Sequence, residues 1–487
     1  MSLQKRRRPA GRSGGKQCAG QRMADVSNAA TTSVNESDDP PLVTELEFDF
    51  DAATAGGMPS PRLAMLSSAA QWTDWRWQMR HRIRSVARLG DFFPSLEVSD
   101  GMSEAAGKFP LAITPYYASL VRHPDNTDPI FRMAVPQAQE LWNPPFLSYD
   151  PLEEERDMPV PGLVHRYPDR ALLIATSACA TYCRHCTRKR VTGAREHCIS
   201  SARLKRSVEY LQKHPEIRDV LVSGGDPFTM PTLSIETILQ AIRSVKSVGV
   251  IRFGTRVPVT RPFRITDELT DVLRRHHPVW VNTHFNHPAE LTPEAGAACE
   301  RLANAGVPIG NQTVLLKGVN DNSQVMEELL RGLIGMRVRP YYLFQCDLVA
   351  GVEHFRTPLS RGIEIMESLR GRLSGIAIPA FVVDMPHGGG KIPVLPNYVV
   401  SISPTHTVLR NYEGLLASYP EPSAGARTDA SRPSDESATS VSELASGKFS
   451  KIQPERTVRQ SRRQARAESG GEEETSSQGT LQQVFFC

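Results

Sequence analysis

"RALLIATSACATYCRHCTRKR", residues Arg170 to Arg190, decides how this 487-residue chain is read. Its first half is a run of aliphatic and β-branched residues ending on small ones, the pattern of a buried strand. Its second half spaces Cys179, Cys183 and Cys186 as C-x3-C-x2-C and passes directly into a block of cations. Three thiolates are one short of the four that a structural zinc ion or an ordinary iron–sulfur cluster takes. Either a fourth ligand comes from elsewhere, with Cys198, Cys346 and His185 the nearest offers, or one metal position stays open. The first alternative is a zinc-binding structural module. Against it, the paired C-x2-C knuckles of zinc ribbons are absent and the cysteines follow a buried strand.

Working outward, six more strand candidates follow "RALLIATSA" (170–178). They are "RDVLVSGGD" (218–226), "GVIRFGTR" (249–256), "PVWVNTHF" (278–285), "VPIGNQTVLL" (307–316), "RPYYLFQCD" (339–347) and "PAFVVDMP" (379–386). Amphipathic stretches such as "SARLKRSVEYLQKH", "SIETILQAIRSV", "TDELTDVLRRHH" and "TPEAGAACERLANAG" fall between them. Strand–helix alternation predicts an α/β fold with a parallel sheet and right-handed crossovers, closed or partly closed into a barrel. "AAQWTDWRWQMRHRIRSVARL" ahead of it predicts a helical N-terminal subdomain. Chemistry in such folds gathers at the C-terminal strand ends. Here those ends carry Cys179, Gly224, Gly225, Asp226, Arg256, His284, Gln312, Asp347 and Asp384. One polar residue at a strand end is usually a cap or turn former, but a whole rim of them predicts a site.

Composition sets the context. With 40% hydrophobic and 23% charged residues the chain has the means to bury a full core, and a net charge of +4 argues for neither nucleic acid nor an anionic membrane surface. No apolar run is long enough for a membrane span, so a reducing, cytoplasmic compartment is the expectation, in which eight cysteines serve metals better than disulfides. Both ends are rich in breakers and poor in apolar periodicity, which predicts disordered tails.

"DWRWQMRHRI", "CRHCTRKR", "SGGDP", "IRFGTRVPVT", "NTHFNHPAELT", "GNQTVLLKGVND", "RPYYLFQCDLVAGVEHFRTP" and "FVVDMPHGGGKIPVLPNY" occur in this order over about residues 70–415. Together they resemble the lysine 2,3-aminomutase family of the radical S-adenosylmethionine (SAM) superfamily. The resemblance implies a partial (β/α)6-type barrel with a helical N-terminal subdomain and a C-terminal extension that binds pyridoxal 5′-phosphate (PLP). The implied organisation is a tail at 1–60, the helical subdomain at 61–165, the barrel at 166–375, the PLP-lysine segment at 376–420 and a second tail at 421–487. It also answers the missing thiolate: a [4Fe–4S] cluster on Cys179, Cys183 and Cys186 keeps one iron open for SAM. The implied reaction moves the α-amino group of L-lysine to Cβ through a 5′-deoxyadenosyl radical. An electron donor such as flavodoxin or ferredoxin is implied too, and homo-oligomerisation is left open.

Residue roles follow by position. The resemblance assigns Lys391 of "HGGGKIP" to covalent PLP attachment, with burial expected to favour its neutral amine; a Walker A loop fails because Met385 and Ile392 stand where Gly and Ser or Thr are required. Arg166 and Arg170 are implied to contact PLP, and Ser223, Gly224, Gly225, Asp226, His284 and Gln312 to bind SAM. A satisfied core histidine is the plainer alternative for His284. Arg188 is implied to pair with the substrate carboxylate through its planar fork. Asp347 and Asp384 match the residues that grip the distal ammonium. Two carboxylates in one pocket call for a cation between them, which favours lysine, with arginine and a protein-attached lysyl group as alternatives and glutamate disfavoured. His387 departs from the glycine that the resemblance leads one to expect. Asn322 stands where some relatives place a zinc-binding cysteine, and Cys487 is the only late cysteine, so no zinc is expected.

Overall fold

A computed structural model describes residues 68–193, 195–386, 388–403, 405–421, 434–437, 439–446 and 448–452. His387 and Cys487, and the tail expected at 1–60, lie outside them. All seven expected strands form: β2 (Arg170–Thr176), β3 (Asp219–Gly224), β4 (Val250–Gly254), β5 (Val279–Thr283), β6 (Ile309–Leu315), β7 (Arg339–Gln345) and β8 (Ala380–Met385). They pair in parallel in sequence order. Helices α1 (Ser201–Lys213), α2 (Thr232–Arg243), α3 (Asp267–Arg275), α4 (Pro293–Asn304), α5 (Ser323–Gly335) and α6 (Leu359–Leu369) make the six crossovers. Six strand–helix units are therefore followed by a seventh parallel strand. Two antiparallel edge strands flank the set: β1 (Leu163–Tyr167) on β2 and β9 (Gly390–Pro393) on β8.

Side-chain alternation sets which face does what. Leu173, Val220, Val222, Ile251, Phe253, Val279 and Val281 are buried against helix positions spaced three and four apart, such as Ile235, Ile238, Leu239 and Ile242 of α2. The alternate strand positions then face the barrel interior, and they carry Asp219, Ser223, Arg252, Asn282 and Gln312. Arg252 Nε donates to Asp219 Oδ1 across this face at 2.8 Å. Helix starts follow the capping rules, with Ser200, Thr266, Thr292 and Asn322 each accepting a backbone N–H. Asn322 thus has a structural task at the start of α5.

The N-terminal stretch is helical in short pieces: Asp74 ends Ala69–Thr73 and at the same time caps Trp75–Arg80, so the chain turns there. The short helices that follow share one core with the barrel, with Phe131, Met133 and Val135 in the same cluster as Val222 and Phe253. Beyond residue 420, where a tail was expected, the chain continues a five-stranded sheet begun by Val399–Ile402, His406–Arg410 and Leu416–Pro420, adding Ser434–Ser437 and Phe449–Ile452. Leu444 of the short helix Val441–Ala445 is buried against Val408. A few apolar residues in a Ser- and Glu-rich stretch suffice here, which average composition conceals.

Candidate active site

The cysteine loop leaves β2 on the C-terminal rim and is fastened from outside. Arg82 Nη1 donates to Cys179 O at 2.6 Å, Tyr182 N–H to Ala112 O at 2.8 Å and Arg184 N–H to Met133 O at 2.8 Å. Arg184 is fully buried and paired with Glu140 at 2.6 Å. All three cysteines are half-buried residues. Burial pushes the Cys179 and Cys186 thiols up, and the neighbouring thiols, with Asp226 beside Cys179, add to it. A cationic metal centre would reverse that repulsion, so the loop fits one. Among the described residues no three His, Cys, Asp or Glu side chains are placed to hold a single ion. A cluster does not require that, since each thiolate meets a different iron. Cys198 is exposed, while Cys299 and Cys346 are buried.

"SGGD" at the end of β3 clamps this loop. Gly225 N–H donates to Thr176 O at 2.6 Å and Asp226 N–H to Ala178 O at 2.8 Å. A Cβ at Gly225 would lie 2.4 Å from Ala178 O, so only glycine permits the approach. With these N–H groups committed, the motif's carbonyl side is what it offers an ammonium group. The Asp226 side chain is engaged within the fold. Its Oδ1 accepts from Phe228 N–H and Thr255 Oγ1 and its Oδ2 from Arg256 N–H, at 3.1, 2.6 and 2.7 Å. The buried carboxylate therefore ties β3 to the end of β4, and its side chain is spent on structure.

His284 and Gln312 do come together. His284 Nδ1–H donates to Gln312 O at 3.0 Å, and burial followed by the Arg256 charge pushes the imidazole down to about 4. The ring is neutral at physiological pH, and its Nε2 is left as an acceptor. Gln312 sits within β6, at a register shift, rather than at its end. Arg256 is held by Glu290 at 2.5 Å and Tyr117 at 2.8 Å, and its Nη1 reaches Cys183 Sγ at 2.8 Å. Sequence reading placed Arg256 on the rim without giving it a role; its buried partner Glu290 carried no sequence signal.

Arg188 does not present its fork freely. Its Nε lies 3.1 and 3.2 Å from the two oxygens of Glu154, and its Nη2 2.7 Å from Oε1. Asp347 accepts from Thr187 Oγ1 at 2.6 Å, and burial together with the Asp384 carboxylate pushes it up to about 6. Asp347 therefore feels the Asp384 carboxylate. Asp384 stands directly across from Lys391 on the β8–β9 ladder, and its Oδ1 is 2.9 Å from Lys391 Nζ. The expected burial of Lys391 is not found: its side chain is 34% exposed. Its Nζ also lies 5.2 Å from the Phe344 ring centroid.

Arg166 is engaged by Asp157 at 2.7 Å and by Leu152 O, beside the glycine turn that leads into β9. Arg170 lies 3.8 Å over the Tyr167 ring and pairs with exposed Asp169 at 3.0 Å. Between them Tyr167, missed at the sequence level although "HRYPDR" contains it, joins the two sheet edges: its Oη accepts Lys391 N–H at 2.9 Å. Gly390, at φ +80°, is needed there, since a Cβ would fall 2.9 Å from that Oη. A primary amine, an arginine over an aromatic ring and a glycine-permitted approach fit a phosphate-bearing aldehyde such as PLP.

The chain matches the family model described as the radical SAM superfamily over residues 173–330 and the one described as lysine-2,3-aminomutase over residues 366–481. It is 51% identical to the L-lysine 2,3-aminomutase of Fusobacterium nucleatum, over 72% of this chain and 83% of that protein. It is 50% identical to that of Clostridium subterminale, over 73% and 86%. A glutamate 2,3-aminomutase of Clostridioides difficile is 44% identical over 70% and 81%. With the strand order, the three-cysteine loop and Lys391 opposite Asp384, these matches place the chain in the lysine 2,3-aminomutase family of the radical SAM superfamily.

Proposed function

We infer that the chain is an isomerase that converts L-lysine to β-lysine by moving the α-amino group to Cβ, with a [4Fe–4S] cluster, SAM and PLP as cofactors. The single observation that carries the substrate is the paired Asp347 and Asp384. Burial and the nearby Asp384 carboxylate push Asp347 up, which defines a slot for a cation, and a lysine side chain of the protein's own, Lys391, already rests its ammonium on Asp384. That slot suits a lysine side chain and opposes a distal carboxylate.

When bound, the cluster and SAM supply a 5′-deoxyadenosyl radical, and PLP carries the migrating nitrogen. The chain's share is positioning. We assign Cys179, Cys183 and Cys186 to three irons and Lys391 to covalent PLP attachment, with Arg170 as a cation for the cofactor and Arg166 shaping the turn next to it. Ser223, Gly224 and Gly225 offer carbonyl and hydroxyl oxygens to the SAM ammonium, and neutral His284 offers an acceptor nitrogen beside Gln312. Asp226 acts indirectly, by holding the ends of β3 and β4 together. Arg188 orients the substrate carboxylate and Asp347 with Asp384 the distal ammonium, so the substrate is fixed at both ends and Cβ is set in one place. A low-potential one-electron donor of the flavodoxin or ferredoxin kind would reduce the cluster. Among the described residues no helix is long and apolar enough to cross a membrane.

The test is a substrate panel. Protein reconstituted anaerobically with iron, sulfide, PLP, SAM and dithionite is offered lysine, arginine, ornithine and glutamate singly. Lysine is expected to turn over fastest. Preference for arginine moves the assignment to the arginine enzyme, and preference for glutamate refutes the cation slot.

A further inference from the structure

Arg188 belongs to a four-residue charge network that the sequence did not disclose. Glu154, from the turn before β1, is buried, its side chain 5% exposed. It holds Arg188 by Nε and Nη2 and also receives Arg190 Nη2 at 3.2 Å. Arg190 Nη2 reaches Asp150 at 2.9 Å, and Asp150 in turn accepts the N–H groups of Glu154 and Glu155, both at 3.1 Å. Asp150 thus shapes the turn that carries Glu154. The two cations hold the Glu154 carboxyl below its usual range even though burial works the other way.

We propose that Glu154 is a positioning residue for substrate recognition: by gripping the Nε–Nη2 edge of Arg188 it turns the remaining Nη1 end toward the amino acid carboxylate. This rests on the assignment of Arg188 to that carboxylate. A guanidinium offers two edges suited to a two-point carboxylate contact, the Nε–Nη side and the Nη–Nη end, so fixing the first in a buried pair determines where the second lies. Without Glu154 the three-methylene stem of Arg188 is free to change rotamer, and its hydrogen-bond direction is lost. The opposing effect is electrostatic: removing an anion beside Arg188 strengthens its attraction for a second carboxylate. In a buried site with a directional contact we expect geometry to outweigh the charge, because an ion pair at the wrong angle loses the hydrogen bonds that make it strong.

The experiment titrates PLP-loaded full-length protein with L-lysine and with L-lysinamide, without reductant so that no turnover occurs, and follows the PLP absorbance. Lysinamide keeps both amino groups and lacks the carboxylate. Wild type is expected to prefer lysine. E154Q is expected to weaken lysine at least tenfold and to change lysinamide less than twofold, and E154D to recover part of the lysine affinity. Lysinamide binding also reports that each variant is folded and loaded. Lysine affinity in E154Q equal to wild type, or tighter, overturns the proposal. R188Q separates the two levels: it should erase the lysine preference. If R188Q retains that preference, the assignment of Arg188 itself is wrong. If R188Q erases it while E154Q does not, only the role of Glu154 is refuted.

Discussion

Replacing Thr187 with Val should move the acid limb of lysine turnover to higher pH. Thr187 lies between Cys186, one of the three cysteines assigned to the cluster, and Arg188, and its hydroxyl is 2.6 Å from Asp347 Oδ2. Burial and Asp384 push Asp347 up to about 6, while the Thr187 hydroxyl, Lys391 and Arg188 work downward. In the proposed slot Asp347 would attract the distal ammonium only when ionised, so kcat/KM for lysine should fall as pH drops through about 6. A hydrogen bond to a charged group is worth about 1.5–3 kcal/mol and one pKa unit about 1.4 kcal/mol, so losing the hydroxyl should raise the carboxyl by roughly one to two units. At pH 7 that leaves about half to one tenth of Asp347 ionised, a loss of roughly two- to tenfold in kcat/KM that should disappear near pH 9. The assay is kcat/KM for lysine from pH 5.5 to 9, with iron content measured because Thr187 adjoins Cys186, and with T187S as the variant that keeps the hydroxyl. An acid limb in T187V that coincides with wild type refutes the reasoning. So does a loss that stays undiminished at pH 9, which would mark structural damage.

Alanine at Cys179, Cys183 or Cys186 should remove the brown chromophore and SAM cleavage, while serine at exposed Cys198 should leave iron content unchanged; loss of iron in that variant would show a four-thiolate site. Lys391→Ala should abolish the PLP label trapped by borohydride, read by peptide mass, while the iron content persists; a label on another lysine contradicts the assignment. Gly225→Ala puts a methyl 2.4 Å from Ala178 O and 2.8 Å from the Ser177 carbonyl carbon. Overpacking of this kind costs about 1–3 kcal/mol. Its iron content should fall further than its melting temperature implies, and full iron incorporation would show that the clamp on the cysteine loop is dispensable.

What could be read in advance follows the range over which each signal acts. Strand and helix identity in 170–386 is local, carried by β-branched runs and three-four periodicity, and every expected strand appears within two residues or so of its expected limits. Motif spacing likewise singled out Cys179, Cys183 and Cys186 as candidates, and the family resemblance singled out Lys391. Pairings between distant segments were not legible. Glu154 with Arg188, Glu290 with Arg256 and Tyr167 with Lys391 join residues 34, 34 and 224 positions apart. Asp226 shows the same limit from the other direction. A carboxylate beside a glycine motif at a strand end looks like a ligand contact, and only the three hydrogen bonds it accepts reveal a brace between strands. The exposure of Lys391 was misjudged because β9 is an edge strand, open on one side, which its short sequence does not announce.

The measurement that bears most directly on the central claim follows one nitrogen atom. L-[2-15N]lysine is converted by the anaerobically reconstituted protein in the presence of excess unlabelled ammonium, and the product is examined by NMR. An intramolecular amino shift predicts β-lysine with undiluted 15N bonded to C3 and none at C2. Dilution of the label by ammonium, or 15N remaining at C2, would contradict it.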